Sequence, residues 1–250
     1  MTSVLVTGAT AGIGLEFARQ LAERGHDLVL VARDEARLAT VAAELSSTYE
    51  VEVETIAADL VVPEQLATVE ARLADRSRPI ELLVNNAGFG LKKRFLENTI
   101  EEEHAMLEVL VTSVLRLSHA ALGPMAERGR GGIINVSSVA AWLPRGTYSA
   151  AKAWVNSFSE WAHYEYKPQG VSVMSLCPGF TKTEFHQRMD VERGEGFMWL
   201  DAEFLVRTAL ADFEKGRAFS IPGAQYKAIK QLTRIIPTPL AQRFQSMGRK

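Results

Sequence analysis

A glycine-rich stretch near the start of the chain limits the possible folds more than any other feature. A short apolar run at residues 3–6 leads into the glycine loop, residues 7–14 (TGATAGIG), and an amphipathic helix then runs to Gly25. Glycine lets the backbone approach a phosphate closely, and a helix start offers free N–H groups and a partial positive charge. This order predicts a mononucleotide or dinucleotide site, with a plain turn as the alternative. The predicted contacts in the loop are Gly8, Thr10, Gly12, Ile13 and Gly14.

The second apolar run, residues 27–32, bears on which nucleotide is bound. It is typical of a buried parallel strand, and Arg33 follows it directly. At about this distance from the glycines an acidic residue usually holds a ribose hydroxyl, whereas a basic residue suits a 2′-phosphate. The acid's place is Ala32, so Arg33, helped by Arg37, favours NADP(H) over NAD(H). A solvated strand end is the alternative, and the neighbouring Asp34 weakens the electrostatic argument.

Strand and helix patterns keep alternating, with short links, along the rest of the chain. Further strands are expected at 51–57, 80–84, 132–136 and 171–176. Helices are expected at about 35–45 and 63–74, and from a capping box at Thr99 and Glu102 toward Met125. Such alternation predicts an α/β fold with a doubly wound parallel sheet of about seven strands and helices on both faces.

Composition favours one soluble domain that spans residues 1–250. With 47% hydrophobic and 23% charged residues, a chain of 250 residues can bury one sizeable core. The net charge of -2 gives no basic field, so nucleic acid is not an expected partner. The single cysteine, Cys177, is interpreted as a structural thiol in a reducing compartment. Because the first strand begins by Val4 and no run of about 18 apolar residues exists to span a bilayer, we expect a cytoplasmic protein, and we expect no metal site.

Tyr148 and Lys152 are the candidates for the chemistry. They lie four residues apart at the start of a predicted helix and therefore project from the same face. A positive charge about 4 Å from a phenolate, at an effective dielectric of about 20, is worth roughly 4 kcal/mol, or about three pKa units. That shift would let tyrosine act as a general acid or base. Taken alone, an exposed pair on a solvated helix face remains the alternative.

Polar residues follow several of the predicted strands where each strand ends. Residues 85–88 (NNAG) follow the fourth strand, Ser138 follows the fifth, and Thr181 and Thr183 follow the sixth. In open parallel sheets, ligands bind at the carboxyl ends of the strands. Ordinary turns would use the same residue types, so each motif alone leaves both interpretations open.

In this order, the motifs from residue 3 to residue 183 resemble the short-chain dehydrogenase/reductase family in its compact, single-domain form. The resemblance implies a Rossmann-type sheet and hydride transfer with a nicotinamide cofactor. It also implies that Ser138 hydrogen-bonds the substrate oxygen and that Tyr148 exchanges the proton. Lys152 would lower the pKa of Tyr148 and hold the nicotinamide ribose.

The same resemblance implies a set of cofactor contacts outside the glycine loop. Asp59 would contact adenine and Asn86 would lie along the adenosine side. Thr181 and Thr183 would reach the nicotinamide amide and the phosphates. Leu60, Gly88, Tyr148 and Lys152 complete the expected cofactor contacts.

Two departures from the family pattern stand out. Leu110 occupies the place of an asparagine that helps hold a water between lysine and solvent, so the usual proton relay looks broken. The segment between Ser138 and Tyr148 is also shorter than is common, which should reshape one wall of the substrate pocket. Trp142 and Leu143 line that wall or pack beneath the loop, two alternatives that the sequence leaves open.

The last part of the chain bears on the substrate and on partners. Residues 184–200 mix apolar side chains, such as Phe197, with glycine and charge, which is typical of a lid over an apolar pocket. The tail, residues 224–250, is basic and amphipathic. It would pack on its own domain or a sister subunit, or lie on an anionic membrane surface.

The combined expectation is an NADP(H)-preferring enzyme that interconverts an apolar ketone or aldehyde, such as an acyl-chain or steroid-like compound, and an alcohol. The alternative is a weakly catalytic or non-catalytic NADP(H)-binding regulator, suggested by Leu110. The family resemblance also implies a homo-oligomer, a dimer or a tetramer.

Overall fold

The computed structural model describes residues 2–183 and 196–233. Seven strands form one sheet in the order β3-β2-β1-β4-β5-β6-β7, and all neighbouring strands pair in parallel. The strands are β1 Ser3–Thr7, β2 Asp27–Ala32, β3 Val53–Ala57, β4 Ile80–Asn85, β5 Gly131–Val136, β6 Val171–Leu176 and β7 Phe219–Ser220. The helices are α1 Gly12–Glu23, α2 Glu35–Tyr49, α3 Pro63–Ala74, α4 Ile100–Leu107, α5 Ser113–Glu127, α6 Thr147–Tyr166, α7 Ala202–Glu214 and α8 Ala224–Thr233.

The central strand β1 shows why the sheet carries helices on both faces. Val4 and Val6 point into a hydrophobic cluster with α1, α2 and α7, whereas Leu5 points into a second cluster with α3, α5 and α6. Successive strand residues face opposite sides of a sheet, so a strand buried on both sides must be apolar throughout. The expected Rossmann-type doubly wound fold is confirmed.

The chain order reverses at β1, which lies between β2 and β4. Connections on the two sides of such a point leave in opposite directions, so a crevice opens at the carboxyl ends of β1 and β4. The glycine loop and the motif at residues 85–88 both lie at this edge. The fold therefore brings together two motifs that are more than 70 residues apart in the sequence.

The long helix expected from Thr99 toward Met125 is interrupted. The Thr99–Glu102 capping box is present at its start, but a π-helical turn, Glu108–Thr112, separates α4 from α5. In this turn the N–H of Ser113 donates to the carbonyl of Glu108, five residues back. Leu110 lies in the middle of the turn, so its backbone departs from regular helix at the residue that also departs from the family pattern.

The stretch Ile100–Glu127 is, among the described residues, long and apolar enough to cross a membrane by length and composition. Half of its most apolar window is buried inside the protein, as in the core helix of many folds. By length and composition, this stretch goes against the sequence expectation that no run of about 18 apolar residues exists.

The described part of the tail, α8, packs on the protein's own domain. Tyr226 is 1% exposed and Ile229 contacts the cluster around Cys177 and Ile221, whereas Leu232 is 58% exposed. Residues 234–250, which carry most of the basic charge of the tail, lie outside the described residues.

Candidate active site

The glycine loop forms a cradle that fits a phosphate group. Gly8 and Gly12 have φ values of 66° and 55°, and a Cβ on Gly14 would lie 2.2 Å from the carbonyl oxygen of Gly8. The N-cap of α1 is Ala11, which has no side-chain acceptor, and the first turn contains no acidic residue. The first N–H groups of α1 are therefore left for an anion.

Asn86 joins the glycine loop to the end of β4. Its side-chain amide donates to the carbonyls of Thr7 at 2.9 Å and of Gly8 at 3.2 Å. The Thr7 hydroxyl accepts from the backbone N–H groups of Asn86 and Ala87, each at 3.0 Å. Sequence reasoning missed Thr7, because a threonine before a glycine reads as an ordinary turn residue. These bonds tie the glycine loop to the segment that follows β4.

Arg33 lies at the carboxyl edge of β2, where the sequence placed it. Its side chain is 68% exposed, and its guanidinium lies 3.8 Å from the carboxylate of Asp59. The carboxylate of Asp34 instead accepts from the backbone N–H of Arg37 and caps α2. Asp34 is thus engaged at the helix, whereas Asp59 reduces the positive field of Arg33. The predicted contact Leu60 is 5% exposed and belongs to the core.

Ser138, Tyr148 and Lys152 come together at the edge of β5. Ser138 begins a 3-10 turn, where its hydroxyl oxygen accepts from the N–H of Ala140 at 3.1 Å, and it also shares a hydrogen bond with the hydroxyl of Tyr148. Tyr148 lies in the first turn of α6, and the ammonium of Lys152 lies 5.8 Å from the centre of its ring. The same ammonium donates to the carbonyl of Val136 at 2.7 Å.

The electrostatics of this group differ from the sequence expectation. Burial raises the pKa of Tyr148 to about 12, and the hydrogen bond from Ser138 opposes this rise only in part. Burial also lowers the pKa of Lys152 to about 8. The expectation that Lys152 brings the pKa of Tyr148 down is wrong for this geometry. The reason is that burial of the phenol, which disfavours the phenolate, is the largest influence on this pKa.

Leu110 lies beside the lysine in an apolar environment. It is fully buried in a cluster with Met106 and Ala151, against which Tyr148 packs. A Cβ on Gly88 would meet the Cδ2 of Leu110 at 2.9 Å and the Nζ of Lys152 at 3.9 Å. A leucine side chain and the lysine ammonium therefore both lie close to Gly88.

Thr181 and Thr183 occupy different environments. Thr183 faces the glycine loop, since a Cβ on Gly12 would lie 3.0 Å from its Cβ. Thr181 is 2% exposed, and its hydroxyl donates to the carbonyl of Gly179 at 3.0 Å. The structure thus brings Thr183 to the predicted phosphate site, whereas Thr181 helps to shape the loop.

The wall after Ser138 is only partly a pocket lining. Trp142 packs beneath α8, where the ammonium of Lys230 lies 5.0 Å from its ring centre, and Leu143 is partly buried. For Trp142, packing is the alternative that the geometry supports.

Within the expected lid, Phe197 is 82% exposed, and the ring centres of Trp199 and Phe180 lie 5.3 Å apart. The rest of the expected lid, residues 184–195, lies outside the described residues.

A buried carboxylate that sequence reasoning missed supports the helix of Tyr148. Glu103 in α4 is 4% exposed, and it accepts from the Thr147 hydroxyl at 2.6 Å and from the Asn98 amide at 2.8 Å. Thr147 is the first residue of α6, whose N-cap Gly146 supplies no side chain. In the sequence, Glu103 belongs to a run of three glutamates and reads as a solvated first turn.

Cys177 is fully buried and burial raises the pKa of its thiol to about 12. Its sulfhydryl donates to the side-chain carbonyl of Asn156 at 3.3 Å. These features agree with the expected structural thiol, because a reactive cysteine requires a readily formed thiolate.

The chain is similar in sequence to a known enzyme family and to named relatives. A family model described as short chain dehydrogenase matches residues 2–194. The very-long-chain 3-oxoacyl-CoA reductase of Bos taurus is 37% identical over 190 residues, which cover 72% of this chain. The matched region covers 59% of that relative, so the chain spans less than two thirds of its length.

Two solved structures extend the likeness over nearly the whole chain. A short-chain dehydrogenase from Sphingobium yanoikuyae in complex with NADPH has a TM-score of 0.86 and 35% identity, with 94% of each chain covered. The bulky-bulky ketone specific alcohol dehydrogenase from Comamonas testosteroni has a TM-score of 0.81 and 31% identity, with 95% of each chain covered.

Proposed function

The chain belongs to the short-chain dehydrogenase/reductase family, an NAD(P)-dependent oxidoreductase family, and within it we propose that this protein is an NADP(H)-dependent reductase of apolar ketones or aldehydes. One observation carries the proposal: Ser138, Tyr148 and Lys152 meet at the strand edge that also holds the glycine loop. A proton donor and a phosphate cradle on one edge are what carbonyl reduction by a nicotinamide nucleotide requires.

The protonation states favour reduction at neutral pH. With a pKa of about 12, Tyr148 keeps its proton and can donate it to a carbonyl oxygen. The hydroxyl of Ser138, already bonded to Tyr148, is placed to hold the same oxygen. Lys152, with a pKa near 8, is mostly positive at pH 7 and stabilises negative charge that develops on Tyr148. NADPH, when bound, supplies the hydride for the carbonyl carbon.

The preference for NADP(H) is supported by Arg33 at the end of β2 and by the NADPH complex of the Sphingobium relative. The ion pair with Asp59 opposes it, because an exposed pair is worth up to about 1 kcal/mol. Measuring kcat/KM with NADPH and with NADH tests the preference. Arg33→Ala should lose roughly tenfold with NADPH and little with NADH; equal losses would refute a role at the 2′-phosphate.

The apolar substrate is supported by the packing around Tyr148 and by the named relatives. Phe89, Leu91 and Val111 pack in the same cluster as Tyr148. One relative is named for 3-oxoacyl-CoA and another for bulky ketones. A panel of steroid ketones, aryl ketones and 3-oxoacyl thioesters, followed by NADPH oxidation, tests the class. Tyr148→Phe should abolish turnover and preserve cofactor binding.

A second candidate function is a cofactor-binding regulator. Leu110, which is buried in an apolar cluster and lies close to Gly88 as the ammonium of Lys152 does, favours it, because a leucine side chain cannot orient a relay water. Cofactor binding without turnover on any carbonyl of the panel would support the regulator. Turnover that depends on Tyr148 would exclude it.

We also propose a homo-oligomer with a cytoplasmic location. The outer face of α6 carries an aromatic ladder of Trp154, Phe158 and Trp161, with neighbouring ring centres 5.1 and 5.9 Å apart, and Trp161 is 52% exposed. Aromatic residues are enriched at protein interfaces. Sedimentation of the wild type and of a Trp161→Glu variant should distinguish an oligomer from a monomer.

The alternative for the tail, contact with an anionic membrane surface, needs a truncation that spares the fold. Because Tyr226 is buried, the chain should end after residue 233 rather than before α8. Equal co-sedimentation of the full and the shortened chain with anionic vesicles would exclude a membrane role for residues 234–250.

A further inference from the structure

Tyr226 connects the C-terminal helix to two separate backbone segments. It is 1% exposed, and its hydroxyl oxygen accepts from the N–H of Phe180 at 2.8 Å. The same hydroxyl donates to the carbonyl of Met198. Its ring lies against Gly179, where a Cβ would come within 1.9 Å of the ring, so no larger residue fits there without a shift. One side chain thus satisfies a backbone donor in one segment and a backbone acceptor in the other, both partly buried.

The two segments also pair with each other. Thr181 and Leu200 form a parallel bridge, in which the N–H of Leu200 donates to Phe180 and the N–H of Lys182 donates to Leu200, each at 2.9 Å. Close to Tyr226, the side-chain amide of Gln225 donates to the carbonyl of Phe197 at 3.0 Å. The start of α8 therefore braces residues 179–183 and 196–200 as one unit.

Helix α8 also touches the turn that follows Ser138. The ammonium of Lys230 lies 5.0 Å from the ring centre of Trp142 and 4.5 Å from that of Phe219. Helix α8 thus contacts the turn after β5 through Lys230 and Trp142, and the turn after β6 through Tyr226 and Phe180.

We infer that Tyr226 is a positioning residue that holds the loop after β6 against the glycine loop and thereby sets the affinity for the nicotinamide cofactor. The link is Thr183, which lies three residues beyond Phe180 and contacts Gly12. The hydrogen bonds of the Tyr226 hydroxyl go to Phe180 and Met198 and not to Ser138, Tyr148 or Lys152, so its removal should affect the loop more than the proton-transfer group. This inference rests on the proposed cofactor function.

Tyr226→Phe tests it, because the variant keeps the ring against Gly179 and removes only the hydroxyl. Loss of two hydrogen bonds in a buried site should weaken NADPH binding about tenfold, measured by fluorescence titration. At saturating cofactor, kcat should stay within about twofold of the wild-type value. Tyr164→Phe, on the exposed side of α6, is the matched control and should change neither quantity.

A second readout is independent of the cofactor. Hydrogen exchange at the amides of Phe180 and of residues 181–183 should become faster in Tyr226→Phe and stay unchanged in the glycine loop. Gln225→Ala, which leaves Tyr226 in place, should show the same effects to a smaller extent.

The outcomes separate the inference from the function. Unchanged exchange at residues 180–183 would overturn the positioning role, as would lower kcat with unchanged NADPH affinity. If wild-type protein bound neither NADPH nor NADH, the proposed function would fail, and the exchange data would still decide whether Tyr226 holds the loop. Faster exchange together with weaker binding supports both.

Discussion

Replacement of Glu103 should destabilise the fold and slow catalysis together, although this carboxylate touches none of the three candidate catalytic residues. Its partners are Thr147, the first residue of α6, and Asn98. Glycine at the N-cap leaves α6 without a side-chain cap, and a negative charge near a helix start is favourable by about 0.3–1 kcal/mol. Glu103 therefore serves as the anchor of the helix that carries Tyr148.

The expected magnitude follows from those two bonds. A hydrogen bond to a charged group is worth about 1.5–3 kcal/mol, and Glu103→Ala leaves both donors without their partner. Because the buried carboxylate also costs desolvation, we expect a net loss of about 3 kcal/mol rather than the full sum. For a chain of this size, that is a fall of roughly 6–12 °C in Tm. Glu103→Gln, which can still accept from Thr147, should lose about 1 kcal/mol.

Thermal unfolding and steady-state kinetics measure the two effects. Glu103→Ala should lower kcat by roughly ten- to hundredfold, because the first turn of α6 places Tyr148, whereas affinity for the cofactor should change little. Glu101→Ala, exposed in the same helical turn, is the control. A double-mutant cycle with Thr147→Val should give a coupling of about 1–2 kcal/mol. Additive effects, or a Glu103→Ala protein as stable and active as the control, would refute the reasoning.

Three further predictions concern the rest of the site. Gly14→Ala would place a Cβ 2.2 Å from the Gly8 carbonyl oxygen, so nucleotide binding in a fluorescence titration should weaken by more than tenfold. The control is Gly123→Ala, whose Cβ meets nothing within 4 Å and which should bind the nucleotide normally. The free energy of unfolding of the wild type, relative to that of Lys152→Met, should rise by about 3 kcal/mol between about pH 7 and the ordinary lysine pKa of 10.5. The reason is that Lys152 has a pKa of about 8 in the folded protein, so over this range the unfolded chain holds more protons on it. A stability difference that stays constant with pH in denaturant titrations would contradict the lowered pKa. Leu110→Asn should change the dependence of kcat on pH, and an unchanged profile would show that Leu110 is neutral to catalysis.

The sequence predicted what depends on local pattern and missed what depends on distant partners. The alternation of apolar strands and amphipathic helices was enough for six of the seven strands of the parallel sheet, and the family resemblance was enough to bring Ser138 beside Tyr148. Thr7, Glu103 and Tyr226 look ordinary in the sequence, since a turn threonine, a charged helix start and a tyrosine in a basic tail are common. Their importance comes from partners 28–80 residues away, which no local pattern specifies.

The π turn, Glu108–Thr112, was also beyond prediction, because Leu110 keeps the apolar spacing of a regular helix there. Ser113 donates its hydroxyl to the carbonyl of Val109, a contact that a serine in a regular helix can also make. The interruption therefore leaves no mark on the hydrophobic pattern, which is the property that sequence reasoning used.

The departure at Leu110 and the lowered pKa of Lys152 have one physical origin. Burial is the main cause of the lowered pKa, and Leu110 and the ammonium of Lys152 both lie close to Gly88. A side-chain amide at this position would solvate the charged form, so the pKa of the lysine should rise in Leu110→Asn. A lysine that is more fully charged would in turn stabilise the phenolate of Tyr148. The leucine therefore favours protonated Tyr148, the form that donates a proton in carbonyl reduction, over the form that accepts one in alcohol oxidation.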